Sequence, residues 1–151
     1  MFFCAIMYSD ASVFSESIKL LSSYFGKAQD MSDEFDFNFT EYYAPEFGAN
    51  LKKRFVIYSL PIATLAEARL NTGKIEDILS SNGKRTVNID PGIISKGGVI
   101  VASLKKMPFK EYLGDGVYAH KVLEFHDGEV LSFKHTFADY RKNVDFFKRY
   151  I

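Results

Sequence analysis

The chain has 151 residues, 47% of them hydrophobic and 25% charged, with 15 Phe, 9 Tyr and no Trp. That size and balance predict one globular domain with an aromatic-rich core and exclude an extended disordered chain. The formal net charge is zero, which argues against the strong basic field that non-specific nucleic-acid binding needs.

Charge is nevertheless uneven along the chain. Residues 1–50 carry two lysines against eight acids, whereas residues 80–121 carry seven cations against three acids. This predicts one acidic and one basic surface region, the second suited to a small anion. Cys4 is the single cysteine, so an internal disulfide and a Cys-based zinc site are excluded. Its place in the apolar run Phe2–Met7 predicts a buried, inert thiol. That run is too short for a membrane span and lacks a basic flank, so the expected location is cytoplasmic.

Residues 2–8 read as a strand buried on both faces. Ser9-Asp10 then caps a helix whose stripe is Phe14, Ile18, Leu21 and Phe25, closed by Gly26. Residues 27–34 are polar and acidic, and 35–39 alternate as a strand or extended edge. Residues 40–50 have no clean period and read as an ordered loop or helical turn. A third strand is expected at 55–60. A capping box, Thr64 with Glu67, opens a helix to Ser81 carrying Leu65, Ala68, Thr72, Ile75 and Leu79.

The segment Arg85-Thr86-Val87-Asn88-Ile89-Asp90-Pro91-Gly92 alternates as a strand over 86–90 and reaches a turn signal at Pro91-Gly92. Strands follow at 99–104, 117–125 and 129–135, the last two joined by a hairpin at Asp127-Gly128. Tyr140, Val144, Phe147 and Ile151 mark a closing helix. The order to residue 90 is strand, helix, strand, strand, helix, strand. The expected fold is therefore α+β: a ferredoxin-like split βαβ (βαββαβ) core, with an added antiparallel hairpin and a C-terminal helix, in one domain spanning 1–151.

Several constellations bear on chemistry. Gly83-Lys84-Arg85-Thr86 does not make a P-loop: the first glycine is missing, Arg85 stands where Ser or Thr is needed, and the segment leaves a helix. Asn88 and Asp90 share one strand face and can orient a metal, a ribose or a water; Asp before Pro is also a common turn former. A two-residue turn at 127–128 sets His120 opposite His135 and Lys121 opposite Lys134. The histidine pair lacks a third metal ligand, so packing is the expectation and no metal site is assigned. Arg85, Lys105 and Arg141, with the two lysines, can form a cationic rim beside Tyr42, Tyr43, Tyr112 and Tyr140, a mixture suited to nucleotide or phosphorylated ligands.

Several clusters run in order along the chain: Phe39-Thr40, Tyr42-Tyr43, Glu46, Gly48 and Arg54-Phe55; Arg69, Thr72 and Glu76; Arg85, Asn88, Asp90, Pro91 and Gly92; then Ala102-Ser103, Lys105, Tyr112-Leu113, Gly116, Tyr118-Ala119, Thr136 and Asp139-Tyr140-Arg141. In these clusters and their order the chain resembles a bacterial family of unknown function, DUF4416. Phe109-Lys110 stands where His-Arg is usual, His120 where Glu is, His135 where Trp is, and Ala138 where Pro is. Some members carry a GTP-binding label. What the resemblance and the residues together lead us to expect is a small-molecule binding domain for an anionic or nucleotide-like ligand, lined by Arg85, Asn88, Asp90, Lys105, Tyr118, Arg141, Tyr42 and Tyr43. Two alternatives stay open: a metal-assisted hydrolase or transferase using Asp90 and Glu76, and a protein-interaction module using the aromatic surface. Nucleic acid and membrane are not expected partners.

Overall fold

The computed structural model describes residues 1–151. Its centre is β1 (Phe2–Tyr8), in which all seven residues are buried. A strand with no polar position must be covered on both faces and paired on both edges, and both conditions hold. β4 (Lys52–Tyr58) pairs antiparallel along one edge, Phe2 facing Tyr58 and Tyr8 facing Lys52. β5 (Val87–Ser95) pairs along the other, Phe2 facing Ile93 and Tyr8 facing Val87.

β2 (Ala28–Met31) and β3 (Phe35–Asp36) add to β4. Beyond β5 come β6 (Gly98–Ser103), β8 (Val117–His126) and β7 (Glu111–Gly114), and β9 (Glu129–Ser132) pairs with β8. The result is one sheet of nine strands in the order β2-β4-β1-β5-β6-β8-β7, with every pairing antiparallel.

The ferredoxin-like expectation is corrected by this sheet. The molecule is a mostly antiparallel nine-stranded sheet with few helices, not a compact βαββαβ core to which a hairpin is added. The reason is the length of β5 and what β6 does with it. β5 runs straight through Pro91-Gly92, where a turn was expected, and its second half carries β6 at Gly92↔Val101. The β1 register stays regular through Cys4↔Pro91, so the proton-less prolyl nitrogen faces the β6 side, where pairing begins only at Gly92; no ladder bond is lost. Gly92 is required by contact. A Cβ there would lie 2.4 Å from the Phe3 ring and 2.7 Å from the Ile100 carbonyl oxygen.

Two layers cover the sheet. α1 (Ala11–Phe25) and α3 (Leu65–Ile78) bury Leu21, Phe25, Ala68 and Ile75 against Cys4, Ile6, Tyr8, Val56, Tyr58, Val87 and Ile89. α3 starts where the capping box places it, the Thr64 hydroxyl accepting from the Glu67 amide at 3.0 Å. On the other face the closing helix is broken at Asn143 into α4 (Ala138–Lys142) and α5 (Val144–Lys148). Tyr140, Phe146 and Phe147 pack there on Phe3, Ala5, Phe55, Ile57, Ile94, Val99 and Val101. Phe3 meets Phe55, Tyr140 and Phe147 with ring centroids 5.6–6.4 Å apart, and burying each such ring contributes roughly 2–3 kcal/mol. The segment before β4, with its single turn α2 (Ala44–Phe47), lays Phe47 and Leu51 over Met7 on this same face.

The hairpin turns at Asp127-Gly128 as expected, with φ of 49° and 80°, both in the left-handed region. β9, however, ends at Ser132, so His135 has left the ladder, and His120 pairs with Val101 of β6. No helix is long and apolar enough to cross a membrane.

Candidate functional site

Antiparallel pairing lines up side chains in rows on the face that carries α4 and α5. One row is Lys53, Met7, Asn88; the next is Phe55, Ala5, Asp90; the next is Ile57, Phe3, Gly92, Val101, His120. Asp90 therefore stands between a small Ala5 and a side-chain-free Gly92. Ser103 and Tyr118 pair across β6 and β8, and continuing the β5–β6 register by two residues sets Ser103 beside Asp90.

Asp90 is held by a relay that begins outside the sheet. Glu46, on α2, accepts from Arg85 Nε at 3.0 Å and Nη2 at 2.9 Å. This bidentate pair holds the Glu46 carboxyl below its usual range and raises the Arg85 guanidinium, in each case chiefly through the bond between them. Arg85 Nη1 donates to Asn88 Oδ1 at 2.8 Å, and Asn88 Nδ2 donates to Asp90 Oδ2 at 2.9 Å. Each polar atom fixes the orientation of the next, so the half-buried carboxylate points one way.

Below Arg85 lies a second, buried pair. Arg69 Nη2 bonds Glu76 Oε1 at 3.1 Å, while Glu76 Oε2 accepts the Ile89 amide at 2.8 Å and lies 3.5 Å from Arg85 Nη1. Burial, and to a smaller degree the charge of Asp90, raise the Glu76 carboxyl; Arg69, the Ile89 amide and Arg85 pull it back. With both oxygens occupied, Glu76 ties α3 to β5.

Asp90 stands on the sheet face that carries α4 and α5, and its charge reaches the groups around it. Its charge raises Tyr43, whose hydroxyl burial first and Asp90 second push up to about 12, and it adds to the burial that lifts Tyr140 and Cys4 well above their ordinary values. Lys110 lies within reach of the same charge. Its Nζ donates to Ser103 Oγ at 2.9 Å and to the Lys105 carbonyl at 3.2 Å. Burial, then Lys105, lowers the Lys110 amine. His120 is 1% exposed and lies among Phe109, His135 and Phe137 at ring distances of 4.8–5.2 Å. Burial, then Lys110 and His135, push it down to about 4, so it is neutral at ordinary pH.

Three atoms in this region are buried without a partner: the Tyr140 hydroxyl and both ring nitrogens of His120. Buried polar groups are almost always hydrogen-bonded, so each of the three marks a place where a bonding partner fits.

The predicted residues divide accordingly. Arg85, Asn88, Asp90 and Tyr43 come together. Tyr118 stands in the Asp90 row but packs tilted against Tyr112, ring centroids 5.1 Å apart. Lys105 is exposed and contributes its backbone and its charge. Tyr42 is 79% exposed. Arg141 is elsewhere, donating to the Phe133 carbonyl at 2.8 Å. The expected cationic rim does not assemble: Arg85 is taken by Glu46 and Lys121 by Glu124 at 2.8 Å. The site residue not anticipated is Lys110, and nothing local in the sequence places it beside Ser103.

The family model described as a domain of unknown function, DUF4416, matches residues 1–150. The chain belongs to the DUF4416 family. Searches of curated proteins and of solved structures each found no match. In this DUF4416 chain, Glu46, Arg69, Thr72, Glu76, Arg85, Asn88 and Asp90 come from three distant segments and form one connected set of polar contacts.

A cleft of about 410 Å³ opens on the outer side of Arg85, lined by Asp10, Glu46, Lys84, Arg85 and Thr86 among others. Lys84, beside it, reaches toward the Pro45 carbonyl at 3.5 Å. Arg85 thus lines this cleft while its Nη1 reaches Asn88.

Proposed function

We propose that this is a small-molecule binding domain whose ligand is anionic and hydroxyl-bearing, of nucleotide-like chemistry. The observation that carries the reading is the company of Asp90: a half-buried carboxylate, oriented by Asn88 and engaged in no ion pair, whose charge reaches the unpartnered Tyr140 hydroxyl, with the His120 ring two strands and one row away. A carboxylate so fixed accepts hydrogen bonds from a diol or an amine. Lys105, exposed beside Lys110, offers positive charge to an anionic group at the other end. Aromatic side chains at Tyr43, Phe109 and Phe137 provide apolar walls for a planar or sugar moiety.

The test is thermal denaturation with nucleoside monophosphates and sugar phosphates. A ligand at 100 times its dissociation constant adds about 2.7 kcal/mol, which at this chain length raises the midpoint by roughly 5–10 °C. Asp90→Ala is expected to abolish that rise while keeping the cooperative transition, and Arg141→Ala to retain it. Equal responses from wild type and Asp90→Ala across the panel defeat the proposal.

A further inference from the structure

We propose that Ser103 and Lys110 form a nucleophile–base pair that cleaves acyl esters, with Ser103 Oγ as the attacking atom. The geometry is a direct 2.9 Å contact between Oγ and Nζ, the spacing at which an amine takes a hydroxyl proton. Ser103 ends β6 and Lys110 immediately precedes β7, so each sits at the edge of a strand and the pair is held by the sheet. The Lys105 amide also donates to Oγ, at 3.2 Å, and fixes its direction. Both residues are partly exposed and therefore reachable.

Burial and the neighbouring Lys105 charge lower the Lys110 amine, against a smaller pull the other way from Asp90. When it is neutral the 2.9 Å contact reverses and the hydroxyl donates to the amine. Oγ then adds to the ester carbonyl carbon as its proton passes to Nζ. The tetrahedral adduct collapses, the C–O bond to the alcohol breaks, and Nζ returns the proton to the departing alkoxide. Water, deprotonated by the same amine, adds to the acyl-serine; the C–Oγ bond breaks, Nζ returns the proton to Ser103 Oγ, and a carboxylic acid leaves. The substrate's alcohol half rests on the binding reading above: a hydroxylated, anionic molecule seated on Asp90.

The test uses a fluorophosphonate probe, which needs no knowledge of the substrate. Oγ attack on phosphorus expels fluoride, and peptide mass spectrometry locates the adduct. Labelling is expected on Ser103 of the wild type, absent in Ser103→Ala, and slowed about 100-fold in Lys110→Met. Lys105→Ala removes the repelling charge and should move the pH–labelling profile upward while Ser103 still reacts, a shift that a purely structural Lys110 would not produce. No adduct on Ser103, or a Lys110→Met rate equal to wild type, overturns the proposal. Ser103→Ala should keep its thermal response to nucleoside monophosphates, so failure of the pair and failure of the binding site read out separately.

Discussion

Glu76 provides the sharpest test of how the site is supported. Its carboxylate neutralises the buried Arg69, accepts the Ile89 amide and faces Arg85. Glu76→Ala strands a buried guanidinium, which costs about 3 kcal/mol, and leaves a strand amide without an acceptor, which adds about 1 kcal/mol. The expected loss is therefore near 4 kcal/mol, or roughly 8–16 °C in midpoint for a chain of this length. Glu76→Gln keeps an oxygen for the amide and loses only the charge, so about 2 kcal/mol is expected. The double variant Arg69→Met/Glu76→Leu should recover most of the Ala loss, because an apolar pair of similar volume carries no desolvation cost. Urea unfolding with fitted slopes measures all three. If Glu76→Ala costs under about 1 kcal/mol at unchanged slope, the buried pair does not hold α3 to β5 and the reasoning is wrong.

Further outcomes concern packing, pH and the residues left outside the site. Gly92→Ala should destabilise by about 1–3 kcal/mol through overpacking, and Phe3→Leu should rescue only part, since the Ile100 carbonyl stays 2.7 Å from the new methyl; full rescue would remove the backbone contribution. His120 is pushed down to about 4 against about 6.5 in the unfolded chain. The unfolded state thus binds the extra proton first, and stability present above pH 6.5 is lost as pH falls toward 4. That loss is expected at about 1–3 kcal/mol after allowing for screening. Denaturant titrations of wild type and His120→Phe should diverge in that window, and parallel curves would contradict the assignment. Arg141→Ala should cost at most about 1 kcal/mol, the value of one exposed bond to the Phe133 carbonyl; a larger loss by urea unfolding would mean that Arg141 holds more than this loop.

Local chemistry made parts of this molecule legible in the sequence. The unbroken apolar run at β1 announced a strand buried on both faces, Thr64 and Glu67 announced the start of α3, and Asp127-Gly128 announced the hairpin. Where tertiary contacts overrode local preference, the sequence misled. Pro91-Gly92 looks like a turn, but β1 pairs through it and the Phe3 ring occupies the space a side chain would need. β2 and β7 carry mixed, mostly exposed residues and have no alternation to betray them. The continuation of the sheet from β5 to β6 to β8 depends on pairings that pass over β7, which periodicity cannot express. At the site, Arg85, Asn88 and Asp90 share a strand end and could be grouped by spacing. Glu46 lies 39 residues before Arg85, and Lys110 reaches Ser103 across a loop, so only folding brings them in. The family resemblance and its charge group Arg141 with them; its guanidinium instead closes the loop before its own helix.

The central claim, that Asp90 and the unpartnered groups on its sheet face receive one small ligand, is tested most directly at the His120 imidazole. Its two ring nitrogens can be followed by nitrogen-15 correlation spectroscopy during titration with nucleoside monophosphates and sugar phosphates. The account predicts that a ligand that raises the thermal midpoint also shifts a His120 ring nitrogen saturably in the wild type, and that neither effect occurs in folded Asp90→Ala. A His120 signal unmoved by every ligand that stabilises the protein, or moved equally in Asp90→Ala, would contradict it.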